Sequence, residues 1–219
     1  MCIIIIKPVK ETVLKQDLKA AYTRNPDGCG IYDVTKHKLI KGLWSFKELW
    51  SRVQEAKDHE LVIHLRVATS GKIDAQACHP FRLKDGSVLA HNGIISGLSD
   101  PHSDRSDTQE LVAILDRCRS DSLRLEVLRS HASSNRFAYV TRSSQTHLLG
   151  DWHKYRGLSL SNSYGYGIQK LTEYPYQSAS KPERYLSMQD YFESEDREEP
   201  VKRETDLTLD IFGHSPNCT

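Results

Sequence analysis

The sequence lacks the long apolar run that a signal peptide or a membrane span requires. Its apolar run near the start, 3–6, is only four isoleucines long, and no basic segment precedes it. Nothing later in the chain approaches the length of a membrane span. We therefore expect a soluble, cytoplasmic protein with no membrane partner.

The sequence also lacks an excess of charge of either sign. Thirty Lys and Arg face 29 Asp and Glu, which leaves a net charge of +1. Proteins that bind nucleic acids or anionic membranes by bulk charge are strongly basic, at least over one face. We therefore expect no nucleic-acid partner.

Cysteine is scarce, and its spacing forms no CxxC pair. A disulfide framework needs an even number of cysteines, and a structural zinc site needs closely spaced ligands. The odd number of five indicates a reducing compartment and argues against a zinc site. The cysteines are Cys2, Cys29, Cys78, Cys118 and Cys218.

The length of 219 residues suffices for one substantial core and a tail, which excludes a large multidomain synthase. Apolar periodicity, capping serines and turn residues predict the elements. Strands are predicted at 1–7, 30–34, 39–43, 61–68, 81–83, 88–91, 137–141, 146–149 and 157–161. Helices are predicted at 10–23, from 45 to about 59, from 106 through 115, and at 123–131.

Strands and helices come in blocks rather than in strict alternation, which is typical of an α+β fold. We expect two mostly antiparallel sheets between layers of helices, within a domain spanning residues 2–176. In the remainder, 177–219, serine, proline and charge dominate, and 190–199 holds six acidic residues against one arginine. This composition predicts a flexible tail.

Cys2 becomes the first residue if Met1 is removed. It then carries both a thiol and a free α-amino group, whose pKa in model peptides is about 7.7 to 8.0. The amine can take the proton of the thiol, so one residue supplies the nucleophile and its base. The alternative is a small hydrophobic side chain in the core.

Arg66 lies in an otherwise apolar strand, where its charge needs a partner. A guanidinium group is suited to a carboxylate held by two hydrogen bonds, and an internal salt bridge is the alternative. His64, on the same strand, is typical of a hydrogen-bonded core residue.

Asn92 and Gly93 follow a predicted strand. An asparagine amide and the next backbone N–H can converge on one oxygen, as an oxyanion hole requires, although Asn-Gly also occurs in type I′ hairpin turns. Asp107 lies in the first turn of a predicted helix, where the helix dipole favours it; it can also pair with a substrate ammonium group.

Five short segments in this order resemble the class II glutamine amidotransferases, the glutaminase domains of the N-terminal nucleophile hydrolase superfamily. Cys2 matches the N-terminal cysteine of that family. The other matching segments are Asn-Pro-Asp-Gly-Cys-Gly at 25–30, His-Leu-Arg-Val-Ala-Thr-Ser-Gly at 64–71 with His-Pro-Phe at 79–81, His-Asn-Gly at 91–93, and Ser-Asp-Thr at 106–108.

The resemblance implies an αββα sandwich and a set of roles. Cys2 would be the nucleophile and Asn92 with the Gly93 N–H would form the oxyanion hole. Arg66 would hold the α-carboxylate of L-glutamine and Asp107 its α-ammonium group, and Thr69 would line the same pocket. No metal or cofactor is expected.

The implied reaction is hydrolysis of glutamine to glutamate and ammonia through a cysteine thioester. Because the sequence contains no synthase domain, we expect the ammonia to pass to a separate synthase. Val67 and Ser70 stand where hexosamine-forming members of the family carry Trp and His, so the contacts around the substrate differ from theirs.

Two other hypotheses remain open at this point. The chain can hydrolyse a different γ-glutamyl compound, because Arg66 and Asp107 would recognise any free glutamyl head group. It can also be a non-catalytic binding module that retains the fold, in which case Met1 would stay in place.

Overall fold

A computed structural model describes residues 2–67, 74–98, 105–163 and 166. Within these residues the chain forms ten strands and four helices. The strands are β1 (Ile3–Lys7), β2 (Cys29–Asp33), β3 (Lys38–Leu43), β4 (Leu61–Leu65), β5 (Phe81–Arg82), β6 (Val88–Asn92), β7 (Arg136–Val140), β8 (Thr146–Leu149), β9 (His153–Tyr155) and β10 (Leu158–Leu160). The helices are α1 (Lys15–Arg24), α2 (Phe46–Glu55), α3 (Asp107–Leu115) and α4 (Asp121–Ser130).

The strands form two sheets in the described part of the chain. The first has the order β3-β2-β4-β1-β10-β9 and the second the order β5-β6-β7-β8. Every strand pair in both sheets is antiparallel. The predicted α+β class with antiparallel sheets is therefore confirmed.

Strand β1 shows how the layers are held together, because its side chains alternate between two faces. Ile3 and Ile5 pack into a core that α1 and α2 cover. Ile4 and Ile6 point the other way, into a core shared with β6 and β7 of the second sheet. The predicted burial of β1 on both faces is thus confirmed.

A third core lies on the other side of the second sheet. Leu111 and Leu115 of α3 and Leu128 of α4 pack there against Phe137 and Tyr139 of β7. The packing order is therefore helices, sheet, sheet, helices, which is compatible with an αββα sandwich.

Serine side chains begin three of the helices, as the sequence spacing predicts for two of them. Ser106 Oγ accepts a hydrogen bond from the Gln109 N–H at 3.2 Å, and the Gln109 side chain accepts from the Ser106 N–H at 2.8 Å. This pair forms the complete capping box predicted for α3. Ser45 Oγ caps α2 by accepting a hydrogen bond from the Glu48 N–H at 3.2 Å.

Several elements differ from the prediction. Helix α2 ends at Glu55 rather than near residue 59, and strand β4 ends at Leu65 rather than at residue 68. Helix α1 begins at Lys15 rather than at residue 10, because Val13 fills the core from an extended segment and Leu14 offers no capping side chain. Strand β9 was not predicted: it pairs with β10, but His153 and Lys154 are exposed and show no apolar alternation. Short, exposed strands at a sheet edge leave little signal in a sequence.

None of the helices in the described ranges has the length and apolar composition needed to cross a membrane. The predicted tail, 177–219, lies outside the described residues, so the domain boundary after residue 176 stays a prediction.

Candidate active site

Cys2 lies directly before β1, next to the end of the neighbouring strand β4. Ile3 pairs with Leu65, the last residue of β4. The Cys2 thiol lies 3.5 Å from the Val67 carbonyl oxygen, to which it donates, and its sulfur accepts from the Val67 N–H at 3.4 Å. The thiol is therefore held beside the segment that contains Arg66.

The surroundings of Cys2 favour the protonated thiol. Burial raises the pKa of the thiol above its usual value, while the Val67 N–H and the positive charge of Arg66 act in the opposite direction. A thiol with a raised pKa is a poor nucleophile at neutral pH unless a base takes its proton. Nucleophilic attack by this thiol would therefore require a base close to the sulfur.

Arg66 is 6% exposed, and its backbone is bound to the turn that follows α1. Its N–H donates to the Gly28 carbonyl and its carbonyl accepts from the Asp27 N–H, both at 3.0 Å. Gly28 has a φ of +105°, and a Cβ there would lie 2.6 Å from the Cys78 sulfur. Glycine thus permits this turn to approach both Arg66 and Cys78.

Asn92 ends β6 in the second sheet and is connected to the first sheet by a serine. Its side-chain amide donates to Ser161 Oγ at 2.9 Å, and the same oxygen accepts from the Ile4 N–H at 2.8 Å. Ile4 lies two residues after Cys2, so this pair of hydrogen bonds brings Asn92 to the same end of the sheets as the thiol.

Gly93 meets two requirements that exclude other residues. Its φ is +147°, and a Cβ would lie 2.1 Å from Asn135 Oδ1. Because β6 pairs with β5 and β7, and the connection to β7 runs through α3 and α4, Asn92 and Gly93 do not join a two-stranded hairpin. The alternative of a type I′ hairpin turn therefore does not apply.

Asp107 is the first residue of α3, and both of its carboxylate oxygens bind backbone N–H groups. Oδ2 accepts from Ile95 at 2.8 Å and Oδ1 accepts from Thr108 at 2.7 Å. The carboxylate therefore anchors the turn that follows Gly93, as well as lying at the positive end of the helix dipole. Thr69, the remaining predicted site residue, lies outside the described residues.

Histidines from three of the motifs form a buried cluster behind the site. His64 Nε2 donates to the His91 carbonyl at 3.1 Å, across the two sheets. His91 in turn contacts Thr108 Oγ1 and Asn135 Oδ1, each at 2.8 Å. The ring of His79 stacks on that of His64 at 4.3 Å. His64 is fully buried, which lowers its pKa to about 3, so it is a core residue, as predicted.

Ser161 and Asn162 join the site although the sequence analysis did not single them out. Besides the contacts of Ser161, the Asn162 side-chain amide donates to the Cys2 carbonyl at 2.6 Å. Both residues come directly after the buried strand β10, just as Arg66 comes directly after β4. Polar residues at the ends of buried strands are the signal that identifies them.

A scan against models of protein families matches no part of this chain, and a search of curated proteins finds no similar sequence.

Proposed function

We propose that this chain, after removal of Met1, hydrolyses the side-chain amide of L-glutamine to glutamate and ammonia. The observation that carries the proposal is the meeting of separate segments around one thiol. Cys2 binds Val67 beside Arg66, and Asn92 is connected to the β1 backbone through Ser161. A thiol can supply the nucleophile, a guanidinium group can bind the substrate carboxylate, and an amide can stabilise the developing oxyanion in cysteine-dependent hydrolysis of an amino-acid amide.

The proposal includes the finer fold, an αββα sandwich of the N-terminal nucleophile hydrolase type. The order of helices, sheet, sheet and helices supports it, and so does the position of Cys2 at the start of the central strand β1.

Arg66 and Asp107 recognise the amino-acid end of the substrate. The planar guanidinium group of Arg66 takes the α-carboxylate by two parallel hydrogen bonds. Asp107 takes the α-ammonium group: a carboxylate has about four lone-pair sites. The Ile95 N–H, the Thr108 N–H and the Thr108 hydroxyl occupy three of them, which leaves one for the substrate. Thr69, which lies outside the described residues, stays a predicted lining residue of this pocket.

The reaction begins with transfer of the thiol proton to the α-amine of Cys2. The sulfur then attacks the side-chain amide carbon of glutamine, and negative charge develops on the amide oxygen. The Asn92 amide and the Gly93 N–H donate to that oxygen. The protonated amine gives its proton to the leaving nitrogen, and the carbon–nitrogen bond breaks. Ammonia is released, and a γ-glutamyl thioester remains on Cys2.

Water completes the cycle. The free α-amine of Cys2 takes a proton from the water as its oxygen attacks the thioester carbon. The carbon–sulfur bond breaks, glutamate is released, and the proton returns to the sulfur. Because burial holds the pKa of the thiol high, the amine is needed as the base in the first step.

The test measures ammonia and glutamate released from glutamine by the full chain, with removal of Met1 verified by intact mass. We expect activity in the processed protein, none after Cys2→Ala, and none when the α-amine is blocked by a retained Met1. Cys118→Ala is the matched control, because this thiol is half-buried like that of Cys2 but bonds to Ile114 in α3. After removal of Met1, the Cys118→Ala variant should be as active as the wild-type protein.

The same assay separates the proposal from the competing hypotheses. Faster hydrolysis of other γ-glutamyl amides or peptides than of glutamine would contradict the choice of substrate. Absence of all amide hydrolysis from the processed protein would overturn the catalytic proposal and favour a binding module.

A further inference from the structure

Two neighbouring side chains after β10 connect the parts of the proposed site that come from different sheets. Asn162 donates to the carbonyl of Cys2 at 2.6 Å. Ser161 accepts from the Ile4 N–H of the first sheet and from the Asn92 amide of the second, at 2.8 and 2.9 Å. Ser161 is 1% exposed, so water does not compete for these hydrogen bonds.

Asn162 restricts the direction of the Cys2 α-nitrogen. The Cα of Cys2 carries three heavy-atom substituents, namely the α-nitrogen, the carbonyl carbon and Cβ. Asn162 holds the carbonyl, and the N–H and carbonyl of Val67 hold the sulfur. Because the carbon is tetrahedral and its chirality is fixed, holding two of these substituents also fixes the direction of the third, the α-nitrogen.

Ser161 restricts the orientation of the side-chain amide of Asn92, the proposed oxyanion donor. An asparagine amide can turn about its side-chain bonds, and at the end of a strand it has no regular partner. By accepting one amide hydrogen of Asn92 while it is bound to Ile4, Ser161 ties the amide to the strand that begins at the nucleophile. The distance between the donor and the sulfur then no longer depends only on how the two sheets pack.

We infer that Ser161 and Asn162 are positioning residues for amide hydrolysis: Asn162 orients the α-amine of Cys2 and Ser161 orients the oxyanion donor Asn92. This inference rests on the proposed function. Neither side chain is assigned contact with the substrate, so each acts through the residue that it holds. A misplacement of about 1 Å in such a group can cost about 10²-fold in rate.

The experiment is a double-mutant cycle on glutamine hydrolysis by the processed full chain. We expect Ser161→Ala to lower kcat about 10²-fold with little change in KM. In an Asn92→Ala background the same change should have no further effect, because the donor that Ser161 orients is gone. Ser161→Thr keeps the hydroxyl group and should restore most of the activity.

The role of Asn162 is tested through its effect on the proposed base, the α-amine of Cys2. Asn162→Ala should lower kcat about 10²-fold and shift the pH dependence of kcat, because the α-amine is no longer directed at the sulfur. Asn162→Asp cannot donate to the Cys2 carbonyl at neutral pH and should be no better.

Ser159→Ala is the matched control for Ser161→Ala: it removes a serine hydroxyl from β10 that is buried like that of Ser161, but one that binds Lys154. It should leave kcat unchanged.

The outcomes are distinguishable. An inactive wild-type protein would overturn the proposed function, and this inference with it. If the wild-type protein is active but Ser161→Ala causes the same loss with and without Asn92, Ser161 is only structural and the inference is wrong for it. An unchanged pH profile in Asn162→Ala would overturn the role given to Asn162.

Discussion

Gly93 shows how one residue controls the geometry of the candidate site. Its φ of +147° is a conformation that side chains disfavour, and the space where a Cβ would lie is taken by Asn135 Oδ1 at 2.1 Å. Asn135 is itself held by the His91 ring. The N–H of Gly93 therefore depends on a backbone conformation that the neighbouring side chains enforce.

We predict that Gly93→Ala destabilises the protein by about 3 kcal/mol or more, because it adds a steric clash to backbone strain. Gly97→Ala is the control: its φ is +85°, but no atom of the described residues lies within 4 Å of a Cβ there, so it should cost only about 1 to 2 kcal/mol. Urea unfolding of both variants measures the difference. Equal losses of stability in the two variants would contradict the prediction, because they would show that Asn135 moves aside for the added methyl group.

Helix α3 carries its own start signal and also supplies Asp107. The capping box of Ser106 and Gln109 satisfies two backbone N–H groups at the first turn. Because Asp107 follows the cap directly and binds the Ile95 N–H, the start of the helix also sets the turn after Gly93.

We predict that Ser106→Ala lowers the free energy of unfolding by about 1 kcal/mol and also lowers the rate of the proposed glutamine hydrolysis, because the Asp107 turn loosens. Ser120→Ala removes the cap of α4, where Ser120 Oγ accepts from the Leu123 N–H at 3.3 Å. It should cost similar stability without changing kcat/KM. Chemical denaturation and steady-state kinetics on both variants test this, and an equal effect on activity would contradict it.

At the scale of the whole molecule, the two sheets share buried histidines that must stay neutral. Burial lowers the pKa of His64 to about 3 and that of His79 well below its usual value. Neither ring nitrogen of His79 has a hydrogen-bond partner among the described residues. In the unfolded chain these groups bind protons near pH 6.5.

We predict that the protein loses stability as the pH falls below about 6.5. There the unfolded state binds more protons than the folded state, so protonation favours unfolding. Each such histidine costs up to about 1.4 kcal/mol per pH unit below that value, until its folded pKa is reached. Urea unfolding at pH 7, 6 and 5 measures the effect.

His79→Phe should remove the contribution of about one proton to this pH dependence. The aromatic ring retains the stacking on His64 and the contact with Phe81. If His79→Phe unfolds with the same pH dependence as the wild-type protein, the buried histidine is not the cause.

Local sequence signals were sufficient for most of the elements. Serine spacing predicted the caps of α2 and α3, and the four isoleucines predicted a strand buried on both faces, because these features act within one turn or one strand. The start of α1 and the existence of β9 were not predicted. Both depend on packing or pairing with residues elsewhere in the chain.

For the candidate site, too, some features could be predicted from the sequence and others depend on the tertiary structure. The residue types at Cys2, Arg66, Asn92 and Asp107 and their order along the chain are properties of the sequence, and they predicted which chemistry to look for. The contacts of Cys2 with Val67 and of Asn92 with Ser161 join residues 65 and 69 positions apart, so only the pairing and stacking of the sheets creates them. Tertiary structure also added Ser161 and Asn162, because a serine or an asparagine acquires a specific partner only when a distant strand comes within hydrogen-bonding distance.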